Sequence, residues 1–140
     1  MEKEENNICF FNSCKAWGGG EKWHYDIAVR LLNKNHNIIL VTNNNSELYY
    51  KAVNSNIPTI SIKISNFSFL NPFKILKISR LFKNHLINTV ILNLPSDLKA
   101  AGVAAKLAGV NNIIYRRGSA IPIKNTFLNR FIFKNIVTSI

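Results

Sequence analysis

Residues Ile8–Arg30 read ICFFNSCKAWGGGEKWHYDIAVR. The stretch opens as a short apolar run, Ile8–Phe11, of the kind that forms a strand buried on both faces. A loop follows and ends in Gly18, Gly19 and Gly20. From Glu21 to Leu32 the residues Trp23, Ile27, Ala28, Leu31 and Leu32 recur at helical spacing, with Glu21, Lys22, Asp26 and Arg30 off that face. A strand that feeds a glycine loop at a helix start leaves backbone N–H groups at the positive end of the helix dipole. Such a place holds an anion or polar ligand, or it is a plain tight turn. Residue types alone leave both readings open.

The same strand–helix unit repeats along the chain. Ile38–Val41 reads as a second strand, and Ser46 as the cap of a helix through Ala52 and Val53. Ile57–Ile64 holds a third strand, with Ile60, Ile62 and Ile64 alternating. Pro72 opens a helix over Phe73–Leu86, followed by a strand at Thr89–Leu92. Leu98–Leu107 is an alanine-rich helix stopped by Gly109, with Asp97 or Ser96 placed to cap its start. Asn112–Tyr115 is a fifth strand, Asn125–Lys134 a helix, and Ile136–Ile140 the opening of a sixth strand. Short links between alternating elements predict an α/β fold, a Rossmann-like three-layer sandwich around a parallel sheet. Residues 1–7 are expected to form a disordered leader and 8–140 an incomplete domain, truncated at the start of its sixth strand.

Composition narrows the class. With 140 residues and 47% apolar residues, the chain suits one domain with a real core. No apolar run approaches the ~20 residues of a membrane-spanning helix, and MEKEENN is no secretory signal. Cys9 and Cys14 are too few and too close for a disulfide framework or a metal site, which fits a reducing cytoplasm. Cys9 reads as a small core residue and Cys14 as a loop thiol. The formal charge of +11 favours an anionic partner, although asparagine in place of surface acids explains much of it.

In an open parallel sheet, ligands bind beyond the C-terminal ends of the strands. That points to Asn12–Gly20, Asn93–Asp97 and Arg116–Ser119. The first loop is not a dinucleotide fingerprint, because Trp23 stands where the third glycine belongs and no acidic residue ends the second strand. It is not a P-loop either, since no G-K-[ST] follows. Arg116 and Arg117 suit a phosphate or carboxylate clamp, and strand alternation lets only one of them reach a given face. His36 and His85 read as turn residues at helix ends, and His24 as an exposed helix position. Lys74, Lys77, Arg80 and Lys83 recur every three residues as a basic stripe, either a solvated face or a docking face for anionic lipid. Lys124, Arg130 and Lys134, interleaved with Phe127, Phe131 and Phe133, are candidates to extend it. Catalytic triads, paired carboxylates and metal clusters are missing from the sequence, so no residue is assigned as catalytic.

Two longer stretches carry a family resemblance. CKAWGGGEKWHYDIAVRLLNKNHNIILVTNNNSELYYKAVNSNIP resembles the opening of a GT-B glycosyltransferase of the family-4 type, with Gly19, Gly20 and Glu21 at its G-G-x-E motif. His36 lies at that family's "GH" turn, where Asn35 replaces the glycine. TVILNLPSDLKAAGVAAKLAGVNNIIYRRGS is similar to the segment that runs into the family's fifth strand. The resemblance implies the N-terminal, acceptor-side half of a two-domain enzyme that transfers a sugar from a nucleotide-sugar donor, with retention and without metal or other cofactor. It implies donor diphosphate or sugar contacts at Gly18, Gly19, Gly20, Glu21 and Arg117, and acceptor contacts at Asn93, Ser96, Asp97 and Arg116. The expected acceptor is a cell-surface glycan or a lipid-linked sugar, at the cytoplasmic face of the membrane. The histidine that often follows the fifth strand in the family is replaced here by Arg117-Gly118-Ser119. The donor-binding C-terminal domain is not in this sequence, so the chain alone is expected to be inactive. A non-catalytic Rossmann-like binding module is the alternative, and a basic nucleic-acid-binding domain the third reading. Nucleic acid ranks last because the basic residues are dispersed.

Overall fold

The computed structural model describes residues 6–118 and 124–139. Most of the expected leader (residues 1–5), Ser119 and Ile140 lie outside them. Five strands form one sheet: β1 (Asn7–Asn12), β2 (Asn37–Thr42), β3 (Thr59–Ser61), β4 (Thr89–Leu92) and β5 (Asn112–Tyr115). Their order is β3-β2-β1-β4-β5 and every pairing is parallel. The order reverses between β1 and β4, so the crevice of a doubly wound sheet opens beyond the C-terminal ends of those two strands.

Alternation along the strands builds two cores. Cys9 and Phe11 of β1 join Val41, Val90, Leu92 and Ile113 in one cluster; Ile8 and Phe10 join Ile38, Leu40 and Ile91 in the other. The second face is covered by α1 (Gly19–Asn33) and α2 (Glu47–Asn54), through Ala28, Leu48 and Ala52. The first is covered by α3 (Pro72–Asn84), by a run of α4 (Pro95–Asp97), a π-helical turn (Leu98–Gly102) and α5 (Val103–Ala108), and by α6 (Phe127–Asn135). This is the expected three-layer sandwich. The alanines of the α4–α5 run let it lie close to the sheet, and a Cβ added to Gly102 would sit 3.7 Å from Leu92.

Several helix ends form as their residues dictate. The Ser46 hydroxyl accepts the Tyr49 N–H at 3.1 Å. Asn71 caps α3 by accepting from Phe73 and Lys74, with Pro72 in the first turn. Gly109 ends α5 in the left-handed region, at φ +76°.

The third strand lies inside Ile57–Ile64 and is three residues long. Its bonds to β2 extend to the Pro58 carbonyl, which accepts the Leu40 N–H, and to the Ile62 N–H, which donates to the Thr42 carbonyl. Beyond these Pro58 offers no N–H, Ile57 donates back to Ala52 of α2, and β2 stops at Thr42. Two expectations are corrected. The α4–α5 run starts at Pro95, not Leu98, and Asp97 lies in its first turn rather than at its cap. Thr138 and Ser139 touch β5 through an isolated parallel bridge, Ile114 to Ser139, and no sixth strand forms among the described residues.

The two glycines at helix ends should respond with opposite signs. Gly109→Ala forces a Cβ into the left-handed region and should cost ~1 kcal/mol. Gly19 has a first-turn conformation with nothing within 4 Å of an added Cβ, so Gly19→Ala should stabilise by roughly 0.5 kcal/mol. Urea midpoints of the two variants check both signs.

Candidate functional site

The β1 and β4 loops meet at the switch point and are tied together by two buried carboxyl groups. Glu21, in the first turn of α1, is 5% exposed. Its Oε1 accepts from the side-chain amides of Asn12 and Asn93, each at 3.2 Å. The Asn12 Oδ1 in turn accepts the Cys14 N–H at 3.1 Å. Asp97 is fully buried. Its Oδ2 accepts backbone N–H from Ser13 at 3.1 Å and from Leu94 at 3.3 Å. Its Oδ1 lies 2.5 Å from the Ser13 hydroxyl.

Gly20 sits against this network. A Cβ there would stand 2.8 Å from the Asn93 Oδ1, so only glycine leaves the amide where Glu21 needs it. Lys22 makes the first backbone bond of α1, to the Gly18 carbonyl, which leaves the N–H groups of Gly19, Gly20 and Glu21 without an acceptor inside the helix. The glycine loop is thus a true helix start facing the crevice, with a carboxylate built in beside it.

The third loop brings one arginine to α1. Arg116 follows β5 with its backbone N–H bonded to the Leu92 carbonyl at 2.8 Å, and its guanidinium lies 4.8 Å from the Trp23 ring centroid. Arg117 is exposed and close enough to Tyr115 for its charge to oppose the rise that burial imposes on that phenol. The neighbouring arginines therefore divide between the two faces, as alternation requires. Ser96 is half-buried on α4.

Two residues of α1 were misread from the sequence. His24 is not exposed; it is fully buried, with its ring 5.5 Å from both Phe10 and Trp23. Glu21 was placed off the buried face, yet Glu21, His24 and Ala28 form the stripe that α1 turns inward. Their spacing of three and four was the available signal, masked because the first two are polar. On α3, Lys74 is also not a free stripe residue, since its Nζ donates to the Lys63 carbonyl at 2.8 Å. Lys77, Arg80 and Lys83 remain exposed, and Lys77 and Arg80 line a groove of about 620 Å³ with Phe73 and Leu76. Phe127 and Phe131 of α6 flank a separate groove of about 320 Å³. Among the described residues no helix is long and apolar enough to cross a membrane.

Burial sets the protonation of this region. It pushes the Asp97 carboxyl up to about 7, against the hydrogen bonds from Ser13 and Leu94. It pushes His24 down to about 3, helped by the Arg116 charge. Above about pH 4 an unfolded Asp97 ionises while the folded one keeps its proton, so its contribution to stability falls between about pH 4 and 7, by roughly 1.4 kcal/mol per unit at most. His24 acts in the opposite sense: its contribution is whole above about pH 6.5 and is lost as pH falls towards about 3. The two trends partly cancel in the wild type. In urea titrations, Asp97→Asn should therefore gain on the wild type as pH rises through that window, and His24→Leu should gain as pH falls. A pH-independent difference for Asp97→Asn would remove the protonated Asp97.

The family model described as glycosyl transferase 4-like matches residues 8–139. Curated protein sequences give no match. Among solved structures, MurG of Acinetobacter baumannii is similar at a TM-score of 0.67 and 18% identity, over 95% of this chain and 40% of MurG. A glycosyltransferase from Rickettsia africae gives 0.73 and 19%, over 92% of this chain and 34% of that protein. Anabaena Alr3699/HepE, solved in complex with UDP and glucose, gives 0.69 and 14%, over 92% and 35%. The chain thus spans well under half of each of these proteins, and its sheet has the Rossmann-like form of the N-terminal half of a GT-B fold. With almost its whole length matched, this chain belongs to the glycosyl transferase 4-like family.

Proposed function

We propose that this chain is the acceptor-side domain of an enzyme that moves a sugar from a nucleotide-sugar donor to a cell-surface glycan or lipid-linked acceptor. The convergence of the Gly18–Glu21 helix start, the Asn93–Asp97 loop and Arg116 at one switch point is the observation that supports it. HepE, a protein of like fold, was solved with UDP and glucose, which supports the choice of donor.

In this reading the domain is one wall of a cleft. The N–H groups of Gly19 and Gly20 meet the donor diphosphate or sugar when a second domain closes over them, with Gly18, Glu21 and Arg117 completing that contact. Asn93, Ser96 and Arg116 face the acceptor, and Asp97, fully buried, does not touch it but holds their loop from behind through Ser13 and Leu94. Transfer is retaining, uses no metal or other cofactor, and depends on positioning and on stabilising the departing diphosphate. No residue of this chain is assigned as the group that forms or breaks the glycosidic bond. The donor-binding domain must supply the rest, so the chain by itself should not turn over.

The test is nucleoside diphosphate release from a panel of nucleotide-sugars, with the chain alone and with the chain joined to a GT-B donor-binding domain. Release only by the joined form is expected. Transfer by the chain alone would overturn the need for a second domain. Donor consumption in neither form, with ligand binding intact, would favour the binding-module reading.

The same reading places the enzyme on the cytoplasmic face of a membrane. Exposed Lys77 and Arg80 beyond Phe67, Leu70 and Phe73, with Lys83 exposed at the far end of the same helix, support it. At about 1 kcal/mol per basic residue, neutralising all three should weaken binding to anionic liposomes by roughly 100-fold at low salt. Lys74→Gln should do less, because that amine is already held by Lys63. Flotation unchanged by the triple variant would take the stripe out of the membrane reading.

A further inference from the structure

Among the described residues, three buried side-chain nitrogens lack a hydrogen-bond partner: Nδ1 and Nε2 of His24, and Nη1 of Arg116. They are gathered in one place, both residues lying against the Trp23 ring. Buried polar groups are almost always paired, and leaving one unpaired costs roughly 1–3 kcal/mol. His24 is fully buried and out of a ligand's reach, but Arg116 is only half-buried, so its guanidinium can take a partner from outside.

We propose that Arg116 holds an anionic group of the bound substrate, a carboxylate or a phosphate, in a subsite on the α1 side of the β5 end. The guanidinium is already positioned, stacked on Trp23 at 4.8 Å. Its charge is uncompensated: the ion pairs of the described residues are Lys22 with Asp26 and Lys51 with Glu47. Glu21 forms no ion pair with it; its Oε1 accepts instead from Asn12 and Asn93. The chain folds over the guanidinium at Gly118, where a Cβ would stand 2.7 Å from Nη1. A side chain there would displace the arginine, so the glycine keeps the fork in place. His24, buried against Trp23, has ring nitrogens that nothing in the fold uses.

Charge decides the ligand class. A neutral hydroxyl would satisfy one nitrogen and leave the cation uncompensated. A carboxylate or phosphate takes two parallel N–H groups of a guanidinium and neutralises it. Arg116 is bonded to the end of β4, one residue from Asn93, so the anion would lie beside the crevice already described. Its use by an acceptor rests on the glycosyl-transfer reading. The anion site itself does not, so binding can be present where transfer is not.

The experiment is an NMR titration of the full chain with inorganic phosphate, glucuronate and glucose, following the Arg116 Nε–Hε and Trp23 indole resonances. Saturable shifts of both with phosphate or glucuronate, and none with glucose, are expected; the tighter anion tells phosphate from carboxylate. Arg116→Gln should weaken binding at least ~10-fold, while the control Lys106→Gln, at an exposed position on α5, should stay within ~2-fold. If Arg116→Gln does not fold, the wild-type shifts decide. The proposal is overturned if neither anion moves those resonances in the millimolar range, if glucose moves them equally, or if Arg116→Gln binds as tightly as the wild type.

Discussion

The hydrogen bonds from Ser13 to the buried Asp97 carboxyl join two loops that are 84 residues apart in sequence. The parallel order places β1 beside β4, but pairing alone leaves their C-terminal loops free to splay. Asp97 closes them, because one oxygen takes two backbone N–H groups and the other meets the Ser13 hydroxyl. Glu21 repeats the device from the helix side through Asn12 and Asn93. The start of α1, the end of β1 and the end of β4 then form one rigid corner. A carboxyl buried this deeply is costly to ionise, which is why Asp97 holds its proton well above the ordinary range. The corner is therefore held more by satisfied hydrogen bonds than by charge.

Charge is distributed unevenly around that corner. The helix start offers N–H groups at Gly19 and Gly20, yet the Glu21 carboxyl lies in the same first turn. A phosphate approaching there gains from the dipole and loses to Glu21. The compensating cation is not in the loop. It stands across α1 at Arg116, where Trp23 carries it. Hydroxyl-rich and anionic parts of a substrate would thus find different partners within one crevice.

Much of this was legible before the structure. The layered α/β fold followed from periodicity, because strands buried on both faces and helices with one apolar stripe leave few other solutions. Ser46, Pro72 and Gly109 marked helix ends through local chemistry that needs no tertiary context. What was missed has one physical cause: polar groups buried by contacts distant in sequence. Glu21 and His24 break the apolar pattern of α1, so the pattern placed them outside. Only the meeting of α1 with Asn12, Phe10 and Asn93 makes their burial tolerable. Asp97 was read as a cap because that is the local use of an aspartate after proline and serine. Its actual partner, Ser13, belongs to another loop. β3 lies within the alternating stretch Ile57–Ile64, but its bounds were not legible there, since a neighbouring strand has to supply the ladder.

The exposed apolar residues follow the same geometry. β3 runs parallel to β1, so the chain leaves it at the C-terminal end of the sheet, and α3 must return in the opposite direction. The start of α3 and the turn before it therefore lie at the crevice end, while Lys83 lies at the other. Phe67, Leu70 and Phe73, all more than 60% exposed, are at that start. Lys74 bends back onto the turn and leaves the apolar surface to them. A lipid surface that took up these residues would meet the domain by its crevice end first. Lys77 and Arg80, one and two turns further along, would then face the headgroups. That orientation suits an acceptor held in the membrane, because the same end of the sheet that touches lipid also carries Asn93, Asp97 and Arg116.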